Sequence, residues 1–151
     1  MKKPILLHDI DGVLFGQYDG TFQLRPCVKT WLNWAHEHFQ VIWFTTWRPE
    51  NIRQLLTSLY MAPSRTGHPF LCADWYNWAT KEAWLEMAAK KTNFDYYWID
   101  DNIPTVLPDG VEQQRCIRVD PTGEHELKSV QKILESTVLQ SVHAKISTKT
   151  L

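Results

Sequence analysis

One stretch near the start of the chain constrains the fold most, residues 5–15, which read ILLHDIDGVLF. An apolar run of strand length ends in two carboxylates, Asp9 and Asp11, and Gly12 follows at once. The chain turns at the carboxyl end of a strand, so both carboxylates can face one pocket above a sheet. Two acids in one site repel each other unless a cation or a shared proton relieves the repulsion. Gly12 permits a tight turn that a Cβ would obstruct.

The length and the charge of the chain narrow the class of protein. A chain of 151 residues predicts one folded domain, here residues 1–140, with a sizeable core. Acidic and basic residues nearly balance, 17 against 16, which argues against a nucleic-acid or membrane partner unless a local basic patch exists. The sequence has no signal-peptide pattern and no apolar run long enough to span a bilayer. A cytoplasmic location is the default expectation.

The cysteines and tryptophans are both predicted to be core residues. The cysteines are odd in number and far apart within apolar surroundings, so we expect reduced thiols rather than disulfides. They are Cys27, Cys72 and Cys116. Five of the eight tryptophans lie in apolar stretches and are expected to pack inside. These five are Trp31, Trp34, Trp43, Trp84 and Trp98.

The periodicity along the chain predicts strands that alternate with helices. Five segments have the composition of strands, namely residues 5–9, 41–44, 69–73, 96–99 and 115–119. Helical patterns begin near Pro26, Pro49 and Thr80, and a last one covers residues 123–139. An Asp-Gly pair predicts a small hairpin flap over residues 16–24. The tail, residues 141–151, is expected to fray.

This alternation predicts a doubly wound, Rossmann-like parallel sheet of about five strands, with helices on both faces. The carboxyl ends of parallel strands open on one edge, where ligands bind. Three predicted strands end there in polar pairs, which are Asp9 with Asp11, Thr45 with Thr46, and Asp100 with Asp101. Lys81 lies in the first turn of a helix, where a cation is disfavoured, so we expect an interaction outside the helix to favour it there.

Four motifs in this order resemble the haloacid dehalogenase (HAD) superfamily of phosphohydrolases. They are HDIDGV, the strand VIWFTT, Lys81 and the strand YYWIDD. The first and the fourth together are specific, whereas the second and the third are weak by themselves. The resemblance covers residues 5–119.

The resemblance implies a role for each motif. Asp9 would be the nucleophile that forms an aspartyl-phosphate, which water then hydrolyses. Asp11 would be the general acid for the leaving oxygen and then the base for the water. Thr45 would donate a hydrogen bond to the phosphate, and Lys81 would offset negative charge.

The resemblance also implies a magnesium ion. Its ligands would be Asp9, the backbone carbonyl of Asp11 and one acid of the fourth motif, because Mg²⁺ prefers carboxylate, carbonyl and water oxygens. The inner ligand could be Asp100 or Asp101, and the sequence does not decide between them.

Several of these residues have a simpler alternative role. Thr45 could cap the turn that follows it, in which case Thr46 would bind the phosphate. Lys81 could be a solvated helix residue. Asp100 and Asp101 could simply hydrogen-bond the backbone of a turn. His8 points away from the expected pocket and is read as a packed histidine.

The expected size of the site bears on the substrate. Residues 46–80 leave no room for a cap domain, so the crevice should be covered only by the hairpin flap. A macromolecular phosphomonoester, either a nucleic-acid end or a phosphoprotein, is therefore predicted as the substrate. Trp47 and Arg48 follow the phosphate-binding threonine and could bind substrate or only support the structure. Gly12, in the turn after Asp11, is a further candidate substrate-binding residue. One rival prediction is a regulatory module, such as a receiver domain, that binds a phosphorylated partner without turnover. The other is a phosphatase of nucleotides or other small molecules.

Overall fold

Four parallel strands form the central sheet of the protein. The structure is a computed structural model and describes residues 2–91 and 93–149. The strands lie in the order β4-β1-β5-β6. Their bounds are β1 Ile5–His8, β4 Gln40–Trp43, β5 Tyr96–Asp100 and β6 Cys116–Arg118. A separate antiparallel hairpin pairs β2, Phe15–Tyr18, with β3, Thr21–Leu24. The predicted hairpin flap is confirmed, and its turn lies at Asp19 and Gly20, both with positive φ.

Helices cover both faces of the sheet, as predicted. Their bounds are α1 Val28–His38, α2 Pro49–Ser58, α3 Pro63–Thr66, α4 Lys81–Ala89 and α5 Glu126–Lys149. Neighbouring strand residues point to opposite faces. Leu6 therefore belongs to a core cluster with residues of α1, α2 and α5, whereas Leu7 belongs to a second cluster with Trp84 and Leu85 of α4. Burial on both faces explains the continuous apolar runs of β1 and β5.

The predicted strand at residues 69–73 is wrong. Only Cys72 pairs with the sheet, through one parallel bridge to Trp43. The Trp43 N–H donates to the Leu71 carbonyl at 2.9 Å, and the Ala73 N–H donates to the Trp43 carbonyl at the same distance. Pro69 has no N–H to extend the ladder, and a 3₁₀ turn begins at Trp75. Within the part of the chain that the structure describes, the sheet therefore has four strands instead of five.

Element ends also differ from the prediction. The first helix begins at Val28 rather than near Pro26, because Cys27 before it has a left-handed φ of 64°. The last strand is shortened to three residues by a 3₁₀ turn over Gln113–Arg115. The last helix begins at Glu126 and continues to Lys149, beyond the predicted end at residue 139. Fraying of residues 141–151 stays a prediction, and residues 150 and 151 lie outside the described residues.

Two of the three cysteines, Cys27 and Cys72, are not core residues, contrary to prediction, whereas Cys116 packs against the second core cluster. Cys27 and Cys72 are exposed and Cys116 is half-buried, and all three are free thiols. Cys27 lies in the turn before α1, and Cys72 alternates with the buried Ala73 on the edge of the sheet. The tryptophans follow the prediction more closely, since four of the five are buried and Trp34 is half-buried. No helix within residues 2–91 and 93–149 is both long and apolar enough to cross a membrane.

Candidate active site

The candidate site lies at the carboxyl edge of the sheet, between β1 and β5. The chain passes from β1 to β4 on one side of β1 and then crosses to β5 on the other side. The sheet therefore has its topological switch point between β1 and β5, and such points are where open α/β sheets bind ligands. Asp9 follows β1 and Asp100 ends β5. Both predicted acidic strand ends thus meet at this point.

Lys81 forms ion pairs with both of these acids. Its Nζ lies 2.7 Å from Asp100 Oδ2 and 3.3 Å from Asp9 Oδ1. The lysine side chain is 15% exposed and the two carboxylates are nearly buried. The Thr80 hydroxyl accepts a hydrogen bond from the Ala83 N–H at 3.1 Å, which caps α4 and fixes the position of Lys81. Lys81 is therefore held by two acidic partners and is not a solvated helix residue.

Asp100 is held by hydrogen bonds to both of its oxygens. Oδ2 accepts from Lys81 and from the Trp98 indole N–H at 3.3 Å. Oδ1 accepts from the Asn102 backbone N–H at 3.0 Å, so part of the predicted turn chemistry is present as well. Asp100 is therefore an anchored carboxylate that serves both the turn and the lysine.

Asp101 completes a cluster of three carboxylates. One oxygen from each of Asp9, Asp100 and Asp101 lies within 4.8 Å of the others. The loop at Gly12 packs directly on Asp101, because a Cβ built on Gly12 would lie 2.3 Å from the Asp101 Cγ. Gly12 has a φ of +79°, as the predicted turn requires. Gly12 thus shapes the cluster through close approach.

The crowding of these acids changes their acidity. Burial, together with the nearby Asp100 carboxylate, raises the pKa of Asp9 to about 7 despite the opposing effect of Lys81. Burial and contact with Asp100 also raise the pKa of Asp101. One lysine therefore does not balance the negative charge of the cluster, and a further cation would relieve it.

The donor set fits a magnesium ion. Three carboxylates from two adjacent strand ends converge, and hard oxygen donors of this kind suit Mg²⁺. The Asp11 side chain is not part of the cluster. Of the predicted metal ligands, Asp9, Asp100 and Asp101 are therefore brought together, whereas Asp11 could contribute only through its backbone carbonyl, as the resemblance implies.

Asp11 points toward Trp47 instead. The Trp47 indole N–H donates a hydrogen bond to Asp11 Oδ1 at 3.0 Å. The Asp11 side chain is exposed, and the Trp47 ring packs on Phe15 at the base of the hairpin, with ring centroids 5.6 Å apart. This contact holds a solvent-accessible carboxylate beside the buried Asp9. The sequence alone gave no signal for it, because the two residues are 36 positions apart.

Thr45 and Thr46 have different positions in the structure, one in a turn and the other on the wall of the cleft. The Thr45 hydroxyl accepts a hydrogen bond from the Trp47 backbone N–H at 3.2 Å, which is the turn-capping role considered as an alternative. Its own hydroxyl proton is still available for donation. Thr46 is exposed and lines the acidic cleft.

The acidic cleft has a volume of about 430 Å³. It is lined by Asp9, Asp11, Thr46, Trp75, Ala79, Thr80, Lys81, Glu82, Asp100, Asp101 and Asn102. None of these residues comes from the hairpin, so the expectation that the flap covers the crevice is wrong. The hairpin instead turns back against the loop after β6, since the Gln17 N–H donates to the Pro121 carbonyl at 2.7 Å. Arg48 is exposed and lies outside the cleft.

Sequence reasoning missed a buried arginine behind the site. Arg25 is only 2% exposed, and its guanidinium donates to the carbonyls of Gly12, Val13, Asp120 and Gly123. It thereby ties the loop that carries Asp11 to the loop after β6. An arginine after a predicted strand gives no sequence signal of burial, since arginine is usually exposed.

His8 is packed, as predicted. It is fully buried and accepts a hydrogen bond at Nε2 from the Trp31 indole at 2.8 Å. The Nδ1–H then donates to the Asp9 carbonyl at 2.5 Å. Burial lowers the pKa of His8 to about 3, so the ring is neutral. His8 links the backbone of the first motif to α1 from the side opposite the cleft.

No protein-family model matches the sequence, and comparisons with curated proteins and with solved structures find no match. The resemblance to the HAD superfamily stays a prediction. Function is inferred from the chemistry of the site itself.

Proposed function

We propose that the protein is a magnesium-dependent phosphomonoester hydrolase of the HAD type, built on a doubly wound, Rossmann-like sheet. The observation that carries this proposal is the lysine-bridged acid cluster. Lys81 contacts Asp9 and Asp100, Asp101 lies beside them, and the exposed Asp11 stands next to Asp9. A nucleophilic carboxylate, a cation and a separate solvent-accessible acid are the groups that phosphoryl transfer needs.

The proposed reaction has two steps at Asp9. A carboxylate oxygen of Asp9 attacks phosphorus, and the bond from phosphorus to the leaving oxygen breaks. Asp11 donates a proton to that oxygen and then accepts one from the water that attacks the aspartyl-phosphate. The Trp47 indole, at 3.0 Å from Asp11 Oδ1, orients this acid. Inorganic phosphate leaves, and both carboxylates return to their starting state.

Asp101, rather than Asp100, is proposed as the inner magnesium ligand from the fourth motif. Both oxygens of Asp100 already accept hydrogen bonds, from Lys81, Trp98 and Asn102. Asp9, Asp101 and the Asp11 carbonyl would hold the ion, while Asp100 holds Lys81. When bound, magnesium would offset the charge of the phosphate and of the carboxylates.

The substrate is proposed to enclose the site with its own surface. Within residues 2–91 and 93–149 no element covers the cleft as a cap would. Small substrates that reach only the cleft would lack the enclosing contacts that provide remote binding energy. A phosphorylated macromolecule, as the sequence predicts, would provide them. Thr46 lies on the cleft wall and is proposed to donate to the phosphate, whereas Thr45 lines the neighbouring cavity.

Phosphate release from p-nitrophenyl phosphate tests this proposal. With Mg²⁺ the purified protein should release many phosphates per molecule, and excess EDTA should stop the reaction. Asp11→Asn should lower kcat by about 100-fold or more. Asp19→Asn, in the hairpin turn, is the matched control and should keep wild-type activity. Labelling once without turnover would instead support the regulatory module, and full turnover after dialysis against EDTA would contradict the magnesium requirement.

A further inference from the structure

A second cavity adjoins the acidic cleft. Its volume is about 380 Å³, which is within the range of small-molecule sites. The two concavities share Thr46 and Trp75 and are therefore adjacent. The cavity is lined largely by aromatic and apolar side chains, including Trp47, Trp75 and Tyr76, and by the polar Arg48 and Cys72. It contains none of the candidate catalytic carboxylates.

Two of its aromatic walls are fixed by hydrogen bonds to the acidic site. The Trp75 indole N–H donates to the Thr45 carbonyl at 3.0 Å, and the Trp47 indole N–H donates to Asp11. Each ring is therefore oriented before a ligand arrives, which lowers the entropic cost of binding against it. Both rings are only half-buried. Tyr76 is 75% exposed and adds a third aromatic side chain at the rim.

We infer that this cavity is a nucleobase subsite, and that the phosphomonoester placed at Asp9 belongs to a nucleotide. The inference deepens the proposed function and rests on it. Bases stack on indole and phenol rings and on arginine guanidinium planes. Arg48 supplies such a plane, and it is the one charged side chain on the cavity lining. Among the residues that the structure describes, the lining contains no carboxylate to repel a phosphorylated ligand.

The separation of the two concavities favours a nucleotide over an aryl phosphate. In an aryl phosphate the ring is attached directly to the ester oxygen, so it would remain over Asp9 and Lys81. The cavity excludes both of these residues and meets the cleft only at Thr46 and Trp75. A ligand that fills both therefore needs a spacer between phosphate and ring. The ribose of a nucleotide is such a spacer.

Substrate comparison provides the kinetic test. The kcat/KM of a nucleoside 5′-monophosphate should exceed that of glycerol phosphate and of phosphotyrosine by about tenfold or more, given typical base stacking. Tyr76→Ala should remove most of this preference, measured as the ratio of kcat/KM for the nucleotide to kcat/KM for glycerol phosphate. Tyr60→Ala is the matched control, because Tyr60 is also exposed, at 65%, but lines neither concavity. Equal kcat/KM for all three substrates would overturn the inference.

Comparison of a free nucleotide with a 5′-phosphorylated dinucleotide identifies the source of the base. A higher kcat/KM for the free nucleotide assigns the subsite to soluble nucleotides. A higher kcat/KM for the dinucleotide assigns it to a nucleic-acid end. A phosphopeptide that outperforms both would overturn the inference.

Alkylation of Cys72 tests binding without turnover. Cys72 is an exposed thiol on the cavity lining, whereas the exposed Cys27 lies elsewhere and serves as an internal control. In the Asp9→Asn variant with Mg²⁺, a nucleoside monophosphate at ten times its Kd should slow Cys72 alkylation about tenfold by mass action. The rate at Cys27 should not change. Peptide mass spectrometry reads both rates in one sample.

The two tests separate the inference from the proposed function. Protection of Cys72 in a protein that hydrolyses no phosphomonoester would support the subsite and contradict the phosphatase. Hydrolysis without a nucleotide preference and without protection of Cys72 would support the phosphatase and overturn the subsite.

Discussion

At the scale of single residues, Gly12 is a position where the candidate site has no room for a side chain. Gly12→Ala would introduce a Cβ that lies 2.3 Å from the Asp101 Cγ, and it would also strain a φ of +79°. Asp101 would have to move away from Asp9. We expect a higher magnesium requirement and a loss of kcat/KM of at least about tenfold, measured by titrating Mg²⁺ in the phosphatase assay.

Gly20 provides the matched control for this substitution. It has a similar φ of +74°, but a Cβ there would meet nothing within 4 Å. Gly20→Ala should therefore cost about 1 kcal/mol of stability through backbone strain alone and leave the magnesium titration unchanged. Equal magnesium titrations for the two variants would show that the contact with Asp101 does not matter.

His8 makes stability depend on pH. Its pKa is about 3 in the folded protein, against an ordinary value of 6.5, because the ring is buried. Below pH 6.5 the unfolded chain binds a proton that the folded protein does not, so this contribution to stability is lost as the pH falls from 6.5 toward 3. From pH 7.5 to 5, wild type should lose about 2 kcal/mol relative to His8→Gln, which cannot be charged. Urea unfolding in EDTA measures the difference, and parallel pH curves would contradict it.

At the scale of elements, Arg25 connects three loops that no strand ladder connects. Its guanidinium satisfies the carbonyls of Gly12, Val13 and Asp120 at 2.7–2.8 Å, and that of Gly123 as well. Arg25→Met would leave these acceptors without a donor. We expect a loss of about 3 kcal/mol or more in the free energy of unfolding. We also expect a lower kcat, because the loop carrying Asp11 loses its support.

Arg115→Met is the control for this prediction. Arg115 pairs with Asp95 at 2.8 Å, but both side chains are partly exposed, at 29% and 46%. Exposed ion pairs contribute little to stability, so we expect Arg115→Met to lose about 1 kcal/mol in the free energy of unfolding without a change in kcat. Urea unfolding and phosphatase kinetics on both variants compare the two arginines. An equal, small effect for both would contradict the role of Arg25.

The elements that the sequence predicted well are those with a strong local pattern. The runs at β1 and β5 are buried on both faces, and Thr80 and the Asp19–Gly20 pair act through local hydrogen bonds and backbone geometry. The segment at residues 69–73 has the apolar composition of a strand but makes one bridge. Strand pairing here requires a neighbouring strand, and Pro69 has no N–H to donate to it. Composition alone therefore overestimates the length of strand that forms.

At the scale of the whole molecule, topology is what makes the site predictable. Acids at the ends of β1 and β5, together with Lys81 at the start of α4, converge because parallel strands share one edge. The contacts of Asp11 with Trp47 and of Arg25 with four carbonyls were not predictable. They join segments distant in sequence through side-chain directions that no periodicity encodes. The position of the hairpin, away from the cleft, was not predictable for the same reason.

The central claim is that Asp9 carries the phosphoryl group, and acid-quenched mass spectrometry tests it most directly. Protein mixed with Mg²⁺ and substrate is quenched during turnover, digested and searched for a phosphorylated peptide. We predict an acid-stable, hydroxylamine-sensitive phosphoryl group on Asp9 in wild type, and neither label nor turnover in Asp9→Asn. A phosphoryl group on another residue, or wild-type phosphate release by Asp9→Asn, would contradict the account.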